Sequence, residues 1–405
     1  MSHADLTIVG AGLAGLTAAV LAARAGLSVT LWTGREAGGR ARTDVVDGFH
    51  LNHGAHALYD AGVAARTWRE LGLDLSGGAP SFTFWAAHDG KRTRLPVDAV
   101  SLARSGLLGV VDKARFAGIL TRMGGLADSV APELTWGAWR REQAADGTTL
   151  AALLDALARL STFIADPAPV RAAVLMRQMG LSGGGVTYLH GGWQRVVDQL
   201  LDLARSEGVT VIAENALGVE AVGAGFRVRG RQVDCTSDAV CIAAGARTTA
   251  RLVDRPAPEL VPVRACALDL GLSAVPDPSV PFVLDLDTPR YLSVHSLVAD
   301  LAAPGGHVLH AIGYGDHTRE SLEAFVDRFQ PGFREHVVAA RFRPAMVVQQ
   351  RAPRVDAPEV PVQLAPGLFQ VGDHVGEGCL SDAAVQSAVD LIARLQDTTA
   401  WRHAG

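Results

Sequence analysis

The segment "DLTIVGAGLAGLTAAVLAARAGLSVTLWT" constrains this chain more than any other. Leu6 to Val9 form an unbroken apolar run, as a buried parallel strand does. A glycine turn follows, and an alanine-rich helix is expected from about Leu13 to Ala25. Gly26 stops it, and Ser28 to Trp32 read as a second strand. Within that unit stands Gly10-x-Gly12-x-x-Gly15. Gly10 permits the tight turn, Gly12 lets the backbone approach a pyrophosphate, and Gly15 lets helix and strand pack closely. Leu13 and Ala14 then open a helix whose free N–H groups and dipole favour anions. A bare tight turn is the plain alternative, but the strand–turn–helix–strand setting favours dinucleotide binding.

The chain has 405 residues, long for one domain and comfortable for two. Its 48% hydrophobic and 20% charged content is that of a globular protein, and a formal net charge of -5 gives no reason to expect nucleic-acid binding. Cys235, Cys241, Cys266 and Cys379 are too few and scattered for a disulfide framework or a zinc knuckle. Reduced thiols, no leader before Asp5 and no long apolar span give the expectation of a cytoplasmic protein.

Residues 34–60 read as glycine-rich loop with short extended pieces, and 64–73 and 97–160 as largely helical. Between these, "SFTFWAAHDGKRTRL" reads as a hairpin turning at Asp89-Gly90. "GFRVRGRQVDCTSDAVCIAAGA" alternates with period two and ends on an apolar strand, Ala239 to Ala243. "RPAPELVPV" marks a boundary near 255–263, followed by strands and a helix around Leu322 to Phe329. The expected fold is α/β: a Rossmann-like domain with a parallel sheet and β-meander, assembled from 1–60, 183–258 and 351–405. An α+β substrate-binding or cap domain is inserted as 61–182 and 259–350.

Two further motifs carry chemistry. In Gly38-Gly39-Arg40-Ala41-Arg42-Thr43 a glycine pair lets the loop pass close to a ligand, and two arginines can neutralise a pyrophosphate. In Val371-Gly372-Asp373 a strand end can place a carboxylate on a ribitol or ribose hydroxyl, or Asp373 can simply cap a turn.

Together, in this order, the three motifs resemble the FAD-binding signature of the flavin amine oxidase and phytoene desaturase superfamily, over residues 4–60, 183–250 and 365–397. "GGRARTDVVDGFHLNHGAHALYD" is similar to the stretch that passes under the isoalloxazine in that superfamily. The resemblance implies FAD as cofactor, with Gly10, Gly12 and Gly15 on the pyrophosphate and Arg40 and Arg42 along the phosphates and the flavin approach. It sets Gly54 and Ala55 along the flavin, Val219 near the adenine and Asp373 on the ribityl–phosphate region. The family's ribose-binding glutamate falls on Thr33, whose hydroxyl lacks a carboxylate's charge; losing one such contact costs about 1–3 kcal/mol. Glu36 is a candidate substitute.

His50, His53 and His56 recur every three residues, but the loop setting and the lack of a joining carboxylate or cysteine cluster argue against a metal, and none is expected. His56, beside the flavin by resemblance, is the candidate acid–base or substrate-facing residue. Cys379 lies beyond the Gly-Asp motif and reads as a structural thiol. "LARSGLLGVVDKARFAGILTRMGGLADSV" is amphipathic and basic, which suits either peripheral membrane contact or an ordinary helix with a solvated face.

The resemblance implies an FAD-dependent oxidoreductase abstracting hydride from a mainly apolar small molecule, desaturase-like. An amine or amino-acid oxidase is the alternative on the same scaffold, disfavoured because Lys91 and Lys113, the only lysines, lie outside 264–350. A non-redox isomerase or a binding protein with structural or lost FAD is the alternative of another class, kept open by Thr33. A nicotinamide dehydrogenase is opposed by Gly38–Thr43 and Gly372–Asp373.

Overall fold

The N-terminal unit folds where its pattern places it. In the computed structural model, which describes residues 3–34, 36–54 and 57–398, strand His3–Val9 runs into helix Leu13–Arg24 and then strand Val29–Trp32. Leu6, Thr7 and Ile8 are wholly buried because the strand is covered on both faces. It pairs in parallel with Val29–Trp32 on one side (Leu6 opposite Val29) and with Asp234–Ile242 on the other (Leu6 opposite Ala239). Thr210–Ile212 extends the sheet beyond Val29–Trp32, again in parallel.

Asp234–Ile242 has two kinds of neighbour on its far side. Its first half pairs antiparallel with Gly225–Arg229, the inner strand of a meander completed by Gly218–Val222. Its second half pairs in parallel with Leu368–Gln370. This brings the C-terminal Gly372–Asp373 turn beside the N-terminal Gly10 turn although the two are far apart in sequence. Helices Gln194–Ser206 and Leu380–Thr398 pack on Leu13–Arg24 and complete that core.

The second sheet has seven strands, in the order Val337–Gln349, Val263–Leu272, His307–Tyr314, Arg290–Val294, Phe282–Asp285, Phe84–His88, Lys91–Arg94. The expected hairpin at Asp89-Gly90 is present, with φ of 48° and 73° at the two turn residues. Phe84–His88 also pairs in parallel with Phe282–Asp285, so segments from before and after residues 183–258 share one sheet. Alternation along Val263–Leu272 explains its burial on both faces from Ala265 onward. Ala265 and Ala267 face the helices of 99–183, while Cys266, Leu268 and Leu270 face helix Arg319–Phe329 through Leu322 and Phe325.

The hairpin of Thr43–Val46 and Phe49–Asn52 ties the two sheets together. Arg341 donates to Asp44 Oδ2 (2.8 Å) and to the Asn52 carbonyl (2.6 Å), and Arg343 donates to the carbonyls of Asn52 (2.9 Å) and His53. Both guanidiniums share the buried carboxylate of Asp269, which also accepts or shares a proton with His310 Nδ1 at 2.7 Å. Burial opposes the Asp269 charge, but His310 and the two guanidiniums outweigh it and hold the carboxyl well below the usual range.

Candidate functional site

The ends of the parallel strands open on one cavity of about 730 Å³. That is where ligands sit in open α/β sheets, outside the carboxyl ends of the strands. Its floor is the Gly10–Ala14 turn, its sides the 38–41 loop, the 243–245 turn and Gly372–Asp373, and its far end the start of helix Leu380–Thr398.

The three glycines divide their work as the motif requires. Gly10 has φ +115°, and a Cβ there would lie 2.7 Å from the Ala243 carbonyl oxygen. A Cβ on Gly15 would fall 1.9 Å from the Gly10 carbonyl oxygen, so only glycine lets the helix sit this close to the turn. A Cβ on Gly12 would meet nothing within 4 Å, because that side is the cavity. Gly12 is also the N-cap of helix Leu13–Arg24 and supplies no side-chain cap, and the first turn carries no acidic residue. The first-turn N–H groups are thus left for a ligand anion.

Arg40 and Asp373 meet across the cavity. Arg40 Nη2 donates to Asp373 Oδ1 (2.7 Å), Nη1 to Oδ2, and Nη1 also to the Val348 carbonyl (3.1 Å). Burial disfavours the Arg40 charge, but the facing carboxylate outweighs it and raises the guanidinium pKa further. The remaining capacity of Asp373 is taken by Gln350, through its backbone N (3.2 Å) and side-chain Nε2 (3.4 Å). Asp373 is therefore committed to protein partners and acts on the cavity through the placement of Arg40.

Gln349, wholly inside, ties the 373–380 loop to the second sheet. Its Nε2 donates to the carbonyls of Arg351 (2.8 Å), Gly378 (3.1 Å) and Asp373 (3.3 Å), and its Oε1 accepts from Leu380 N (2.9 Å). That last bond holds Leu380 at φ +58°, a left-handed conformation leucine seldom adopts, at the cavity wall.

Residues 8–71 match the family model of the NAD(P)-binding Rossmann-like domain. No curated protein matches the chain by sequence. An oxidoreductase from Methanosarcina mazei superposes with a TM-score of 0.78 at 18% identity, over 96% of this chain and 100% of its own. Wild-type putrescine oxidase bound to putrescine gives 0.72 at 17% identity, over 97% and 99%. Cyclohexylamine oxidase from Brevibacterium oxydans gives 0.68 at 15% identity, over 97% and 99%. The chain has the same fold as these structures.

Within that fold, Gly10, Gly12, Leu13, Ala14, Thr33, Gly38, Gly39, Arg40, Gly54, Gly372 and Asp373 all border the cavity. Ala55 and His56 lie outside the described residues. Three positions differ from expectation. Gly15 does not border the cavity, because it is the contact at which the helix sits against the Gly10 carbonyl. Arg42 follows the short 3-10 turn Gly39–Ala41 and points away from the cavity wall, pairing with Glu36 and, at 3.5 Å, with Asp44. Val219 faces inward from the meander, in a buried cluster with Val9, Trp32 and Val228, because strand alternation turns it from the cavity. The wall there is made by the preceding loop, through Ala216 and Leu217.

The end of Val29–Trp32 holds the departure at Thr33. The hydroxyl of Thr33 donates to the Gly34 carbonyl (3.0 Å), and its N–H to the Ile212 carbonyl (3.0 Å). Beyond the neighbouring strand the chain runs on to Glu214, whose carbonyl accepts from Gly34 N at 3.2 Å and which borders the same cavity. Glu214 Oε1 accepts from the N–H groups of Gln232 (3.0 Å) and Arg231, which fix the carboxylate. Glu36 also borders the cavity, but its side chain is 63% exposed and turned to Arg42.

His53 Nε2 lies 2.6 Å from Asp44 Oδ2, while burial and the guanidiniums of Arg341 and Arg343 keep its pKa below the usual histidine value. All four cysteines are free and buried, and burial pushes the Cys379 thiol up to about 12. The described residues include no helix long and apolar enough to cross a membrane.

Gln349, Gln350 and Glu214 are site residues that motif reading missed. The "QQ" ending an apolar strand at 349–350 was the available signal for the first two. Glu214 carried none, since its relation to Thr33 exists only through strand pairing.

Proposed function

We propose that this chain is an FAD-dependent oxidoreductase that abstracts hydride from a mainly apolar small molecule. The observation that carries the reading is one cavity joining an uncapped helix N-terminus, the Arg40–Asp373 pair and an apolar far end. Its volume suits a dinucleotide-sized ligand. Backbone N–H groups of the 12–14 turn and Arg40 hold the pyrophosphate, and Glu214 supplies the fixed carboxylate at the ribose end that Thr33 lacks. The segments 1–60, 183–258 and 351–405 form the cofactor domain, and 61–182 with 259–350 the substrate cap. FAD, when bound, supplies the electron sink. The chain orients the substrate and excludes water.

The apolar preference rests on Leu380, at the cavity wall and in one buried cluster with Tyr59, Phe282, Tyr291 and Tyr314. A second reading, amine oxidation, draws support from the putrescine and cyclohexylamine oxidases that share the fold. Neither lysine of this chain borders the cavity. Anaerobic mixing of the flavin-loaded protein with amines and, separately, with polyene or terpenoid-like compounds separates the two. Bleaching of the flavin band by the apolar set supports the proposal, and bleaching by amines alone refutes it in favour of the second reading.

A further inference from the structure

Helix Val110–Leu126 turns Phe116, Ile119 and Met123 into the core. Its opposite face is not the polar one that a core helix usually shows. Val110 and Val111, turned away from that core face at the helix start, stand 85% and 66% exposed, and Leu120, at the edge of the core face, 39%. The preceding helix Ala99–Arg104 buries none of its residues, and Val97 and Val100 add two more uncovered side chains. Five of the twelve exposed large apolar side chains among the described residues therefore fall between positions 97 and 120, on or beside two helices that the Lys113–Ala103 bond holds together.

The patch is also the basic part of an acidic protein. From Lys91 to Arg122 the chain carries seven basic and two acidic residues, both lysines among them, against a formal net charge of -5 overall. The two acids are engaged locally, Asp98 accepting from Ser101 N (2.7 Å) and Asp112 lying 3.6 Å from Arg115. Lys113 Nζ donates to the Ala103 carbonyl (3.0 Å) and Arg122 Nε to the Gly118 carbonyl (2.8 Å), bonds that leave both positive charges unneutralised. Beside this face a cleft of about 290 Å³ is lined by Arg115, Arg122 and Arg141 with the single carboxylate of Glu142.

Exposed branched aliphatics within a cationic rim, next to an arginine cleft, call for a partner that is apolar inside and anionic outside. A nucleic acid meets only the second requirement. We propose that this face docks on an anionic lipid surface, the 97–111 valines entering the interfacial layer and Arg115, Arg122 and Arg141 taking headgroup phosphates. The residues involved are separate from those of the cofactor cavity, so the inference stands apart from the redox reading.

Flotation of the full chain with vesicles tests it. Binding is expected to vesicles containing phosphatidylglycerol and not to pure phosphatidylcholine, and it weakens with added salt. Val110→Asp with Val111→Asp lowers partitioning at least about tenfold, by removing burial of two side chains. Arg115→Gln and Arg122→Gln each lower it about fivefold, with circular dichroism unchanged in every variant. Equal recovery with both vesicle types, or variants that float like the parent, overturns the proposal. So does a concentration-dependent dimer abolished by the valine variant without flotation, which marks a protein interface. Saturable binding of inorganic phosphate without flotation marks a free-anion cleft and overturns it as well.

Discussion

The Arg40–Asp373 pair offers the sharpest perturbation of the cavity. Asp373→Asn keeps the volume and removes the charge, and it turns an amide NH₂ towards the Arg40 donors. One charge-assisted hydrogen bond, worth about 1.5–3 kcal/mol when buried, is lost and the other is left to a neutral acceptor. Because the Arg40 side chain is 39% exposed, solvent recovers part of that, leaving about 2 kcal/mol. If Arg40 must be held in place to meet the pyrophosphate, the loss appears as a roughly 30-fold weaker FAD dissociation constant. The assay is titration of the apoprotein with FAD, read by quenching of flavin fluorescence. Arg40→Gln alone and the double variant complete a cycle. The double variant should lose about as much as the worse single one, since Asp373 works through Arg40. Additive losses, or a dissociation constant for Asp373→Asn within about threefold of the parent's, would refute the reasoning.

Three other substitutions probe separate parts of the account. Gly12→Ala adds a methyl where nothing lies within 4 Å, so it should weaken FAD at least about tenfold with little change in stability. Gly15→Ala drives a methyl to 1.9 Å from a carbonyl oxygen and should destabilise the fold by more than about 3 kcal/mol in denaturant titration. Glu214→Gln should weaken FAD about fivefold while Glu36→Gln leaves it unchanged; the reverse pattern would return the ribose role to Glu36. Asp382, 7% exposed and accepting from Ala64 N (2.9 Å), has its carboxyl pushed up to about 6, chiefly by burial. Its protonated form is the one the fold favours. Its contribution is complete below about pH 4 and is lost as pH rises towards and through 6, by about 3 kcal/mol. Asp382→Asn should flatten that limb of the stability profile, and an unchanged slope between pH 4 and 6.5 would contradict the assignment.

What could be read from the sequence was local. The unit 3–32, the hairpin at Asp89-Gly90 and the helix near 322–329 are specified by patterns a few residues long, and they form as read. The glycine motifs were legible because their chemistry lies in the backbone and requires no partner. What escaped was pairing across long separations. Nothing local to Thr33 announces Glu214, and nothing local to Phe84 announces its parallel partner Phe282. Arg42 and Val219 were misplaced for related reasons. A residue's facing direction is set by the turn or strand register next to it, and competing carboxylates drew Arg42 outward. The Asp269–Arg341–Arg343 cluster that grips the Asn52 and His53 carbonyls spans three chain segments and is invisible to motif reading.

The central claim is that this cavity holds FAD. The most direct test is the absorption spectrum of the purified protein, before and after incubation with FAD and desalting. Oxidised flavin bands that stay with the protein, and FAD released into the supernatant on heating, are the predicted result. A colourless protein that takes up no FAD would contradict the account and leave a non-redox or binding role on the same fold.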